Sequence, residues 1–188
     1  MDYLDLLFDR PDQLPTRWAD HTFEQCTFRK LNLSGQSLAG ANFIDCRFDH
    51  CDLTRAGLKN TKLYDIQFLH CNLQHVDFSV CNPFGFHVNF QECPLNYAVF
   101  IDRKLKKARF ADCSLREAHF IKSDLSGTTF HHCNLEFATF DNNDLTQADF
   151  SSSYNLTLNP DSNKLKKARF SLHNLPGLLM KHELVIVH

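Results

Sequence analysis

The stretch "ANFIDCRFDHCDLTRAGLKN", residues 41–60, decides the fold. Phe43, Phe48, Leu53 and Leu58 return every fifth residue, and Ala41, Cys46, Cys51 and Ala56 stand two places before them. The interval holds from Phe23 to Phe78 and again from Phe90 to Phe150, where every fifth residue is Phe or Leu. Such self-similarity is read before any local pattern, because each unit of a repeat buries its apolar face on its neighbours. An amphipathic helix needs apolar residues about every 3.6 positions and a half-buried strand every 2, so a strict five fits neither. The chain must turn as fast as the pattern does. Four sides of five residues give about 20 residues per coil, with one large side chain per side aimed at the axis.

The position two before each Phe or Leu is mostly small or compact: Cys26, Cys71, Val76, Val88, Ala98, Ala108, Ser123, Thr128 and Ala148 are further examples. One large and one small inward residue per side fill a narrow square column without voids. "ANFID", "CRFDH", "CDLTR" and "CNLEF" resemble the unit of the pentapeptide-repeat family: Ala or Cys, a polar residue, Leu or Phe, then two polar residues. The resemblance covers residues 21 to about 170. It implies an all-β fold, a right-handed quadrilateral β-helix, with short terminal caps and a C-terminal helix. Leu31, Gln36, Ile66 and Arg103 are too large or too polar for the small site and predict irregular corners.

With 188 residues, 43% of them hydrophobic, the chain reads as a single solenoid. Residues 1–20 fall outside the register and predict an N-terminal cap, with a short helix in "YLDLLF" and Trp18 covering the first coil. Residues 171–188 predict a second cap: a short helix starting at Pro176, over Leu178, Leu179 and Met180, then an extended apolar tail through Leu184, Val185, Ile186 and Val187. That end must be buried on the last coil, on a second copy, or on both. Members of the gyrase-interacting branch of the family dimerise through such ends, so the resemblance implies a homodimer built on these seven apolar residues. The chain has no run of 18 apolar residues, and its acidic start lacks the layout of a secretion signal, so a cytoplasmic, non-membrane protein is expected.

Phe78 to Phe90 spans twelve residues instead of ten, which places an interruption near residues 81–88. Pro83 and Gly85 between Phe84 and Phe86 favour a bulge or small loop. It reads either as a corner defect or as an exposed aromatic contact. After Phe150 the period fades, but fifteen residues separate it from Leu165, three whole units, so the register can continue through a degraded side.

The eight cysteines recur at the small inward site, often 20 residues apart, as Cys26 and Cys46 or Cys93, Cys113 and Cys133 do. There a free thiol serves as a compact hydrophobe, and no disulfide is expected. His50, Cys51, His70 and Cys71 have ligand types suited to zinc, but the thiols point inward and the imidazoles outward, so the four do not converge and no metal site is assigned to them. No cofactor is implied. Catalysis needs a pocket where reactive groups meet, and a filled column supplies none, so the chain is not expected to be an enzyme.

Charge is the informative part of the surface. The net charge is −2, yet residues 111–150 hold seven acids and two bases while 101–110 hold five bases and one acid. "KLKKARF" occurs at 104–110 and again at 164–170. Stacking every 20 residues predicts one column of Lys104, Asp124, Asp144 and Lys164, a ladder that neutralises itself. No aromatic platform interleaves the bases, so direct nucleic-acid binding is not expected. Two functions stay open: a non-enzymatic protein-interaction scaffold, and, by resemblance to the quinolone-resistance branch, a DNA-mimicking binder of DNA gyrase or topoisomerase IV. Candidate contact residues for a partner are Asp112, Glu117, Asp124, Asp141, Asp144 and Asp149, with Phe84 and Phe86.

Overall fold

The computed structural model describes residues 1–185, and the predicted tail residues Ile186 and Val187 lie outside that range. The chain winds as a parallel β-solenoid with four faces. Every named strand pairs in parallel with its counterpart one coil away, as Phe23 does with Phe43 and Phe28 with Phe48. The offset is 20 residues before the interruption and after it, and 22 across it, where Ile66 pairs with Val88 and Phe68 with Phe90.

Phe and Leu are not interchangeable in this column. Where Phe is inward the side is usually a strand, in keeping with the β preference of aromatic residues. Where Leu is inward the coils touch mostly through single bridges, such as Asn32 with Asp52 and Asp52 with Asn72. One face is Phe from end to end. Phe8, Phe28, Phe48, Phe68, Phe90, Phe110, Phe130, Phe150 and Phe170 stack ring on ring, with centroids 4.7 to 5.4 Å apart. It carries a seven-stranded sheet running from Leu7–Phe8 to Thr129–His131. The second sheet changes face at the interruption. Before it, Asp2–Leu4, Thr22–Glu24, Asn42–Ile44 and Lys62–Tyr64 form a sheet beside the Phe28 face. After it, Val99–Ile101, His119–Ile121 and Thr139–Asp141 form one on the opposite face.

The small site has a second use. In Cys46 and Cys51 the thiol donates to the carbonyl of the inward residue 23 positions back, Phe23 at 3.2 Å and Phe28 at 3.3 Å. Thr61 and Thr128 give the same bond to Leu38 and Leu105, Ser123 to Phe100, and the Asn143 and Asn163 amides to Phe120 and Phe140. A compact donor is therefore as suitable there as Ala, because it satisfies a carbonyl that is otherwise short of partners. All eight cysteines are free and buried. Burial pushes the thiols of Cys46 and Cys81 up to about 12, so they stay protonated, and the Cys46 thiol donates.

Four expectations need correction. The stretch from Tyr3 to Phe8 forms no helix: Asp2–Leu4 and Leu7–Phe8 are strands of the first coil, Tyr3 stacks on Phe23 at 4.8 Å, and Phe8 on Phe28 at 4.9 Å, while the only helical turn among the first 20 residues is a 3-10 turn at Pro11–Gln13. Tyr3, Phe8 and Trp18 hold the inward register at the same interval of five, and that interval cannot form a helix. Trp18 is buried inside the column between Phe23, Phe28 and Phe43 rather than laid over its end. Leu31, Ile66 and Arg103 do not break their corners but are buried in register, whereas Gln36 turns outward and donates to the Asn32 carbonyl. The fourth concerns Phe86 and is set out below.

At the far end the register continues, with Tyr154 bridged to Asn134, Lys164 to Asp144, and Phe170 stacked on Phe150. The chain then folds back over the last coil. Asn174 is buried and its amide donates to the carbonyls of Phe150 and Ser153. The helix Leu175–Leu179 follows, one residue earlier than its Pro suggested, and Leu178 packs on the core. Gly177 sits against the backbone of Leu156, where a Cβ would come 1.8 Å from the carbonyl oxygen.

Candidate interaction surface

Side chains that do not point inward stand in files along the faces and corners, one residue per coil, about 4.8 Å apart. At most corners the residue two after the inward one adopts positive φ, as at Asp112 (54°) and Glu117 (55°). This conformation fixes the direction of the side chain and favours Asn, Asp and Gly over bulky residues. A surface site here is thus a set of residues from successive coils in one file.

The six candidate acids do not share a file. Asp124 and Asp144 are bridged neighbours on one face, Asp149 stands on the Phe face, Asp141 on the opposite face, and Asp112 and Glu117 at two successive corners. Most are also engaged. Asp144 pairs with Lys164 at 3.5 Å, Asp149 with Arg169 at 2.9 Å, and Asp112 with His132 at 3.4 Å, while Glu117 accepts from the Tyr97 hydroxyl at 2.9 Å. Hydrogen bonds from Thr146, with the Lys164 charge, hold the Asp144 carboxyl below its ordinary value. Asp149 is also lowered: burial raises it, but hydrogen bonds from Ser151 and the Arg169 charge outweigh that. The column Lys104, Asp124, Asp144, Lys164 forms as the spacing predicts. A depression of about 570 Å³ on the Phe face is lined by Lys107, Arg109, Thr129, His131, Asp149 and Ser151.

The interruption separates its two aromatics. Phe86 is only 5% exposed, with its ring edge-on to Phe78 at 6.4 Å, and this overturns its reading as a surface anchor. The reason lies one coil on: the Arg103 guanidinium sits 5.7 Å from the Phe86 ring and donates to the carbonyls of Cys81 and Ile101. Arg103 thus uses the oversized small site to fasten the loop from below. Phe84 is turned out and 79% exposed, its N–H bound to the Asn82 side chain. Gly85 (φ +69°) lets the chain pass the Tyr64 ring, which a Cβ would approach to 2.7 Å.

Sequence reasoning missed a second exposed aromatic group. Phe137 is 70% exposed and Tyr97 is exposed in the same corner file, both with positive φ near 60°. Tyr97 stacks on His75 at 4.6 Å. A bulky ring in this conformation costs backbone energy that the column does not require. The signal was a Phe two places after Leu135, off the inward register. Thr157, twenty residues on from Phe137, lies 3.5 Å from the Met180 sulfur.

That helix leaves apolar surface uncovered. Leu172 is 83% exposed and Val185 91%, and Leu175, Leu179, Met180 and Leu184 are exposed as well. Leu178 alone of the predicted interface residues within the described range turns toward the core.

A family model described as "Pentapeptide repeat region" matches residues 21–100 and 86–140. The chain belongs to the pentapeptide-repeat family. Two trypsin-treated variants of QnrB1, a plasmid-mediated fluoroquinolone resistance protein, superpose with a TM-score of 0.64 at 20% identity, covering 100% of this chain and 98% and 97% of theirs. HetL, a pentapeptide-repeat protein involved in heterocyst differentiation regulation from a cyanobacterium of the genus Nostoc, is more distant, at 14% identity and a TM-score of 0.33 over 91% of this chain and 83% of its own. No curated protein matches this chain. As a pentapeptide-repeat protein the chain is a repeat scaffold, and among the described residues no helix is long and apolar enough to cross a membrane.

Proposed function

We propose that the chain is a non-enzymatic protein-interaction scaffold that works as a homodimer joined through its C-terminal ends. The observation that carries this reading is the uncovered apolar surface at Leu172, Leu175, Leu179, Met180, Leu184 and Val185, set on a cap that is itself firmly docked. A contiguous exposed apolar end on a solenoid calls for a partner, and a two-fold axis lets one patch cover itself. The exposed rings of Phe84 and Phe137 are the contacts offered to a different protein. Sedimentation velocity of the wild type and of a Leu179→Glu/Met180→Glu variant tests the dimer. The wild type should sediment as a dimer at tens of micromolar and the variant as a monomer; a monomeric wild type rejects the proposal.

The second reading takes a type II topoisomerase, DNA gyrase or topoisomerase IV, as the partner. It is favoured by the end-to-end match with the fluoroquinolone resistance protein QnrB1. The scatter and pairing of the six acids weigh against a DNA-like negative surface and move the expected contact to Phe84 and Phe137. Gyrase and topoisomerase IV assays with and without a quinolone test it: altered supercoiling or relief of inhibition supports it, and no effect from folded dimer removes it.

A further inference from the structure

One corner file differs in kind from the other three. Along the edge that follows the Phe face, successive coils present His50, His70, Glu92, Asp112 and His132, all with φ between 51° and 56°. Asp49 and His131 stand beside the file, each one residue before a corner histidine. The rungs touch: Asp49 and His50 at 2.8 Å, His70 and Glu92 at 3.2 Å, Asp112 and His132 at 3.4 Å, with the His50 and His70 rings 4.5 Å apart and the His131 and His132 rings 3.9 Å apart. Two groups of three bring their ligand atoms within 4.8 Å of one another, Asp49 with His50 and His70, and Asp112 with His131 and His132. The column does not demand these residues, since the same corner holds Lys30 in an earlier coil and Ser152 in a later one.

The geometry points to a divalent transition-metal site at Asp112, His131 and His132. Two imidazole nitrogens and one carboxylate oxygen suit a borderline cation such as Zn²⁺, and three protein ligands leave one tetrahedral position for water or for a group from a partner. The backbone of both coils is fixed by pairing of Ala111 with His131, so only side-chain rotation is needed to close the ligands on the ion. Glu92, one rung below Asp112, adds a second carboxylate to the same edge. The Asp49 group is the poorer of the two. Its carboxylate already faces Arg29 and Arg47, each at 3.5 Å, and those guanidinium charges oppose a cation. Cys51 and Cys71 are buried, in keeping with the inward placement read from the spacing, and the groups beside the imidazoles are carboxylates.

The experiment is a titration of untagged full-length protein with Co²⁺ and Zn²⁺, read by visible absorption and calorimetry. One tight equivalent of Co²⁺ per chain is expected, with the d–d bands of nitrogen and oxygen ligation and no thiolate-to-metal charge-transfer band. A His131→Ala/His132→Ala variant should weaken binding by at least about tenfold, since perturbing even the groups behind metal ligands costs 10–100-fold. A His50→Ala/His70→Ala variant should keep the tight equivalent. Zn²⁺ should raise the melting temperature of the wild type and not of the His131/His132 variant. All four substituted histidines are exposed, so both variants should fold. Affinity unchanged in the His131/His132 variant, a thiolate band, or no binding below millimolar metal overturns the proposal.

Discussion

Replacing Phe110 by Ala removes one rung from the continuous phenylalanine stack and tests the column at its densest point. Its ring is fully buried, stacked 5.0 Å from both Phe90 and Phe130, and edge-on at 5.9 Å to Phe100 and Phe120. A buried Phe→Ala change costs about 3–5 kcal/mol from lost transfer energy and the cavity left behind. Four aromatic neighbours held by sheet pairing cannot collapse into the space, which places the expected loss near the top of that range. Leu115→Ala, on the next side of the coil, removes fewer atoms and should cost about 2–5 kcal/mol. Arg109, the residue before Phe110, points outward; its backbone N–H bond to the Asn89 side chain survives truncation, so Arg109→Ala should cost less than about 0.5 kcal/mol. Urea denaturation followed by circular dichroism measures all three. Similar losses for Phe110→Ala and Arg109→Ala would refute the inward and outward assignment on which every file and face depends.

Gly177→Ala should undock the C-terminal cap, because the new Cβ collides with the Leu156 carbonyl; faster amide exchange over residues 156–180 together with loss of dimer is the expected readout. Phe137→Asn relieves a bulky residue with φ of 59°, and should be neutral or stabilising by about 1 kcal/mol in thermal melts while weakening binding of a partner protein. Acid stability should depend on Asp49, Asp144 and Asp149, whose carboxyls lie below the ordinary value of 3.8 in the folded chain. For Asp49 burial raises the value, but the His50 hydrogen bond and the Arg47 and Arg29 charges outweigh it. A lowered folded value means stability that is fully present above the unfolded carboxylate range and lost as pH falls through the folded value. Melting temperatures of an Asp49→Asn variant should therefore fall below the wild type at neutral pH and converge with it in strong acid.

The fold was legible because its period is carried by residues with no other reason to recur. The first coil was not, since Tyr3 and Trp18 stand where Phe or Leu marks the later coils, and on the side between Phe8 and Trp18 it is Leu14, one place out of step, that packs on the core. Phe84 and Phe86 could not be told apart without the path of the loop, which depends on Arg103 in the next coil. Arg103 itself was visible as a misfit, but its use as a buried clamp required knowing that two carbonyls lay within reach. The acids failed to form one surface for a countable reason: Asp112 and Glu117 stand two places after their inward residues, Asp124, Asp144 and Asp149 one place before, and Asp141 one place after, on different sides of the coil, so only Asp124 and Asp144, twenty residues apart, stack. The His and carboxylate corner arises from that same stacking, across an interruption that shifts the count by two.

Small-angle X-ray scattering tests the dimeric rod most directly. A single chain stacks about nine rungs, and at ~4.8 Å each this makes a rod roughly 40 Å long. Two copies joined at their C-terminal ends should give a maximum dimension close to twice that, with the cross-section of one rod and twice the mass of the 21.8 kDa chain. Scattering from a particle of one chain's length and mass, or from a dimer with a doubled cross-section, would contradict the end-to-end assembly.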